Sequence, residues 1–213
     1  MPIDTPADNQ PSRSGYESDL PERVGEVVQS ETDVFTVECK ALGNPPSLGS
    51  LVTAPDGAVE VFGVVFHAAT RGLDRTRPVM ALGEDDETED DLHARHPQLT
   101  QLLRTEFSAI VVGHRTAGSI SHVLPPRPAR LHGFVHIVGR ETLRSFTQSL
   151  QFISNLVLSS LPSADHATAA FVRQALYAQD DADKFQLVVG KELARLLYRD
   201  VHRLNTLLRM VHS

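Results

Sequence analysis

From residue 23 onward, apolar and polar positions alternate with a two-residue period. The first run covers 24–28, and the second sets Phe35, Val37 and Cys39 against Thr36, Glu38 and Lys40. Such alternation places apolar side chains on one face of a half-buried strand, which makes Cys39 a core residue. A third run over 48–53 leads into the turn signal Pro55-Asp56-Gly57, and a fourth strand is predicted over 59–68. Strand character returns at 107–114 (FSAIVVGH) and at 120–124, on either side of the turn Thr116-Ala117-Gly118. Short strands joined by tight turns favour a small barrel, which leaves no exposed edge. The run PPRPAR at 125–130 suits neither helix nor central strand and reads as an extended connector marking where the barrel ends.

Between these strand groups lies a polar connection over 71–77 and an acidic run at 84–91. Pro97 suits a first helical turn, and Leu99, Leu102 and Leu103 then supply a short apolar stripe. Beyond the connector the period lengthens to that of helices. Leu143, Phe146, Leu150, Ile153 and Val157 fall on one face of a predicted helix that Pro162 follows, and Ser163 or Asp165 caps a second helix through Phe171 and Leu176. A third stripe runs Val189, Leu193, Leu197, Val201, Leu204, Leu208 and Val211. Either the barrel and the other helices cover this stripe, or a partner subunit does.

The expected fold class is therefore α+β, a small N-terminal β-barrel followed by a C-terminal helical region. Three units are expected: a disordered acidic tail over 1–22, a barrel over 23–139 with an inserted acidic segment and short helix at about 84–104, and a helical domain or arm over 140–213. The tail is rich in Pro, Ser and Asp and lacks an apolar secretory core, so a cytoplasmic protein is expected. No run of about 18 uncharged apolar residues is present, which excludes a membrane-spanning helix. A lone cysteine cannot form an internal disulfide or a multi-cysteine zinc site.

Charge changes the picture in one respect. Of the formal −7, the first 22 residues carry −4 and residues 84–91 carry another −7, so the remainder is mildly basic at +4. A polyanion-binding face is compatible with that balance, and a strongly basic nucleic-acid binder is not. Arg115, Arg127, Arg130, Arg140 and Arg144 gather around the connector, and Arg71, Arg75 and Arg77 around an earlier loop. If the barrel brings these loops together, arginine forks could grip phosphate or a partner carboxylate. Few aromatics accompany them, so a stacking platform for single strands is missing.

Candidate metal ligands are Glu89, His93 and His96, whose helical spacing would suit a divalent cation, although a solvated acidic loop fits the same residues. His67, His114, His122, His132 and His136 lie on or beside predicted strands, where hydrogen-bonded structural roles are expected. His132 and His136 flank Phe134 at alternate positions and would share one titratable face. No Gly-Xaa-Ser-Xaa-Gly elbow occurs, and no nucleophile and base stand at a defensible spacing.

Four segments, RVGEVVQS from Arg23, LGSLV from Leu48, VFGVVF from Val61 and the PPRP connector at 125–128, together resemble the HAS barrel. This is the small β-barrel at the N-terminus of HerA-type hexameric translocases and of F-type ATP synthase catalytic subunits. The resemblance covers about residues 22–139. With HPQLTQLLRTEF at 96–107, LPPRPARLH at 124–132 and the helical tail, it extends to stand-alone bacterial HAS-barrel proteins lacking an ATPase domain. In the ATPases a P-loop follows the barrel, whereas here the one Gly-Lys pair, Gly190-Lys191, precedes Glu192 within a helical pattern.

What the resemblance implies is assembly rather than turnover. The expectation is a non-enzymatic adaptor with no cofactor, which self-associates or docks on an ATPase or nuclease of the HerA/NurA DNA-processing kind, any nucleic-acid contact being indirect. Its contact residues would be Arg115, Arg127 and Arg130 on the loops, with Leu197, Val201, Leu204 and Leu208 on the last stripe. The alternative is a nucleic-acid-binding or metal-dependent hydrolytic protein using the arginine loops and the His93/His96 acidic segment.

Overall fold

A computed structural model describes residues 22–74, 76, 79–86 and 88–212. The predicted tail, apart from Glu22, lies outside the described residues, as do Arg75, Arg77 and Glu87. The strands are β1 (Arg23–Ser30), β2 (Val34–Cys39), β3 (Leu51–Asp56), β4 (Val59–Gly72), β5 (Leu103–Thr116), β6 (Ser119–Ser121) and β7 (Phe134–Ile137). Six of them close into a ring in the order β1, β2, β5, β4, β3, β7 and back to β1, with every pairing antiparallel. β6 pairs only with β5 and extends the sheet beyond the ring.

The connector does not end the barrel. It crosses one end of it, burying Ala129 and accepting a hydrogen bond from Ser30 Oγ at Ala129 O (2.6 Å), and then delivers β7, the strand that closes the ring between β1 and β3. β7 is four residues long, and its Phe134 faces outward beneath the Arg23 guanidinium, 3.4 Å from the ring centroid. That exposed aromatic contact hides the strand from a reading based on apolar alternation.

Side chains fill the lumen: Val27, Phe35, Val37, Val52, Ala54, Val61, Val65, Phe107, Ala109, Val111 and Val135 are all buried there. Small residues make room for Phe35. A Cβ on Gly63 would stand 2.6 Å from its ring, so this position accepts no side chain. Cys39 sits at the rim of this core, half-buried.

β4 and β5 are buried on both faces. Phe62, Val64, Ile110 and Val112 point away from the lumen and join Leu51 in a second core shared with the helices. These are α3 (Arg140–Phe146), α4 (Phe152–Val157), α5 (Ala164–Leu176), α6 (Ala182–Leu196) and α7 (Val201–His212), preceded by the short α1 (Glu89–Arg95) and α2 (Leu99–Leu102) between β4 and β5. Phe62 packs against Phe146 (centroids 5.1 Å), which meets Phe152 at 5.5 Å, and Phe152 meets Phe171 edge-on at 5.0 Å. Burying each such ring is worth about 1.5–3 kcal/mol, with about 0.5–1.5 kcal/mol more per well-oriented aromatic pair.

Two predicted helices are each divided in the structure. The stripe from Leu143 to Val157 is split by a turn after α3, whose C-cap Thr147 donates both its N–H (3.0 Å) and its Oγ1–H (2.9 Å) to Leu143 O. The split lets Phe146 and Phe152 both enter the aromatic core. The last stripe breaks at 197–200, where the Asp200 carboxylate accepts from Arg203 N (3.0 Å) and starts α7. Ser163 precedes α5 as predicted without making a side-chain cap. Asp165 instead receives the Arg203 fork, Nε to Oδ2 at 2.9 Å and Nη2 to Oδ1 at 2.7 Å, which ties α7 to α5.

The loop before β3 meets α5 at Gly49. Its φ is +80°, its N–H donates to Val65 O (2.8 Å), and a Cβ there would lie 2.4 Å from Phe171 N. Gln174 Nε2 donates to the adjacent Leu48 O (3.0 Å). Gly49→Ala is expected to destabilise the protein by about 3–4 kcal/mol through overpacking and backbone strain. Gly57→Ala, at φ +60° in open space, should lose only about 1–2 kcal/mol. Urea unfolding of the two variants checks the difference.

Candidate interaction surfaces

Arg71 is not brought near Arg115. Arg115 lies opposite Glu60 in the β4–β5 register, near the β3–β4 turn, whereas Arg71 lies opposite Arg104 at the far end of the same ladder. Most of the connector-side group is already occupied. Arg115 pairs with Glu60 at 3.2 Å and lies over the Phe62 ring at 5.3 Å, Arg130 approaches Asp56 at 3.8 Å, and Arg144 forks onto Asp180. Arg127 is exposed on the connector and Arg140 is exposed at the start of α3. Arg71 is therefore separated from the connector-side arginines, of which Arg115, Arg130 and Arg144 already have carboxylate partners, while Arg75 and Arg77 lie outside the described residues.

The acidic segment is organised locally. Thr88 caps α1, accepting from Asp91 N at 3.2 Å, and Arg95 pairs with Glu84. Glu89 opens α1, His93 is exposed in its last turn, and His96 Nδ1 lies 3.2 Å from Gln98 Nε2. Among the described residues, no three His, Cys, Asp or Glu side chains converge as a cation site requires.

Of the strand histidines, His122 has the most defined role. It is buried just beyond β6, with its ring 4.7 Å from Phe146 and 5.8 Å from Phe152. Its Nε2–H donates to Phe146 O (2.9 Å), and Asn155 Nδ2 donates to His122 O (3.1 Å). A carbonyl can only accept, so this nitrogen carries the proton in the neutral ring. Burial pulls the His122 pKa below its ordinary value, the hydrogen bond to Phe146 O opposing only part of that shift. His132 and His136 do not share a strand face: His132 stands before β7 in the left-handed region (φ 62°), with Nδ1 2.6 Å from Glu26 Oε1. Burial, with Glu38 and Glu106 adding to it, pushes the Cys39 thiol up to about 11, so it is mostly protonated at neutral pH.

The last stripe is largely internal. Leu197 is 5% exposed and Val189, Leu193, Leu207 and Val211 are buried, while Leu204 and Leu208 pack partly buried against the same core. Leu197 is thus a core residue, whereas Leu204 and Leu208 keep part of their surface open. Val201 leaves the stripe altogether at 60% exposure, because the turn at 197–200 rotates it outward. Gly190-Lys191 lies within α6.

What remains open is a groove of about 450 Å³ between α6 and α7, with Val189, Leu193, Leu208 and Val211 beneath and Asp183, Leu187 and Lys191 along one wall. Leu187 is 59% exposed, and Val188 beside it is also exposed. Leu187 and Val188 fall between the turns of the 189/193/197 series, which is why the stripe alone did not reveal them. The visible signal is the breadth of the apolar face, LVV at 187–189. A second groove of about 340 Å³ lies where barrel and helices meet, lined by Val34, Ile110, Leu124 and Leu158 together with Asp33, Asn155 and Ser159.

No helix among the described residues is long and apolar enough to cross a membrane. The chain matches no protein-family model and no curated protein.

His122 generates a pH prediction. Its folded pKa lies below the ordinary value near 6.5, so the unfolded chain takes up the proton first, and the resulting stabilisation is complete above about pH 6.5 and lost as pH falls below it. Urea midpoints measured from about pH 7 to about pH 5 should fall for the wild type. For His122→Gln, which can still donate to Phe146 O without titrating, the slope should be shallower.

Proposed function

We propose that this protein is a non-catalytic assembly module of HAS-barrel type, acting by contact with other proteins in a DNA-processing system of the HerA/NurA kind. One observation carries this reading: large apolar side chains stay exposed across the helical half, namely Leu158, Tyr177, Leu187, Val188, Tyr198 and Val201. Scattered single apolar residues are ordinary on a surface, but here Leu187 lines the α6/α7 groove and Leu158 lines the groove where barrel and helices meet, so exposed apolar side chains and concave surface coincide as they do at protein-contact sites. The closed barrel, packed with side chains, serves in this reading as a rigid platform that orients the helices. The four segments resembling the HAS barrel supply the kind of partner, a hexameric ATPase or its nuclease.

The carboxylate partners of Arg115, Arg130 and Arg144 favour protein contact over a phosphate-binding surface. Co-expression with a HerA-type ATPase and a NurA-type nuclease from the same genome, followed by size-exclusion chromatography, tests the proposal. Stable co-elution with one of them is expected, together with no gel shift of DNA by the isolated chain at low or moderate salt. Salt-sensitive DNA binding by the isolated chain, with neither protein co-eluting, would overturn it in favour of the nucleic-acid reading.

A further inference from the structure

The wall of the α6/α7 groove carries a self-complementary pattern. Asp183, Leu187 and Lys191 stand four residues apart along α6, so they share one helix face, and all three line the groove. Both charged groups are exposed, and neither makes an ion pair or side-chain hydrogen bond among the described residues. They cannot satisfy one another, since eight residues of helix separate them by about 12 Å. Their neighbours are differently placed: Arg195 is held by Glu192 (Nη2 to Oε1, 2.6 Å), and Arg203 by Asp165.

We infer that two copies of this chain associate through antiparallel α6 helices, with a two-fold axis passing at Leu187 and Asp183 of each copy paired with Lys191 of the other. The symmetry follows from the spacing. A two-fold axis at the central leucine exchanges the positions four residues before and after it, so both opposite-charge contacts form at once. Gly190 and Ala194 keep the facing surface low, and the groove lined by Leu208 and Val211 receives the second helix. The contact centres on one helix of fifteen residues, about 22 Å long, a small element beside the roughly 20–30 residues a side of a standard interface. The dimer is therefore dissociable, and its formation depends on concentration and salt. This inference rests on the reading of the chain as an assembly module and names one of its contacts.

Sedimentation velocity of the full chain over a concentration series tests it, alongside Asp183→Lys and Lys191→Asp. The wild type should show a monomer–dimer equilibrium that weakens with salt. Each single reversal should raise the dissociation constant at least about tenfold, because it sets two like-charged pairs face to face. An equimolar mixture of the two variants should recover dimer, since each chain then meets its opposite at both contacts. Circular dichroism of the variants checks that α6 is intact. A wild type monomeric throughout the series would overturn the inference, as would a dimer indifferent to both reversals or reversals that the mixture does not rescue. Co-elution of a monomeric chain with the ATPase or nuclease would leave the assembly reading standing and remove this contact alone.

Discussion

The outward-facing side chains of β4 and β5 are the constraint on which the rest of the architecture depends. A barrel wall normally turns polar residues to solvent, yet here Phe62, Val64, Ile110 and Val112 face away from a lumen that Val61, Val65, Ala109 and Val111 already fill. That wall would be an apolar patch in water unless something covered it. Phe146, Phe152 and Phe171 do so, with His122 wedged against the first two by its hydrogen bond to Phe146 O. The helices are therefore seated on the barrel by the same kind of burial that fills it. The Gly49 approach to α5 and the Arg203 fork to Asp165 set the precise fit.

This seating decides which residues remain for contact. The amphipathic stripe is consumed by the shared core from Val189 to Leu197 and again at Leu207 and Val211, leaving the opposite shoulder of α6 and the α6/α7 groove facing outward. On the barrel side, the antiparallel ladder carries Arg71 and Arg115 to opposite ends, and nearby carboxylates neutralise much of the connector-side charge. In the proposed reading the contact surfaces lie on the helices, and the barrel sets their orientation.

The closed barrel followed by helices was legible because its signals are local. Two-residue alternation marked β1, β2 and the body of β4 and β5, and the Gly57 and Gly118 turns joined neighbours in sequence. The closing strand was not, since β7 is short, follows a proline-rich segment and carries an exposed Phe134 whose cover, Arg23, lies more than a hundred residues away. Helix breaks escaped for a related reason: a stripe continues in sequence across Thr147 and across 197–200, although α3 ends at Thr147 and α6 at Leu196, with Asp200 capping the start of α7. The separation of Arg71 from Arg115 was not legible, because proximity in sequence says nothing about which end of a ladder a loop occupies. The Asp183, Leu187 and Lys191 triplet became meaningful only once the groove showed that its face is uncovered.

If the aromatic contact between Phe62 and the helices is what unites the molecule, barrel and helices must unfold together. Scanning calorimetry of the full chain measures this most directly. One transition is expected, with calorimetric and van't Hoff enthalpies that agree. Two resolved transitions, with the helical half melting while the barrel persists, would contradict it.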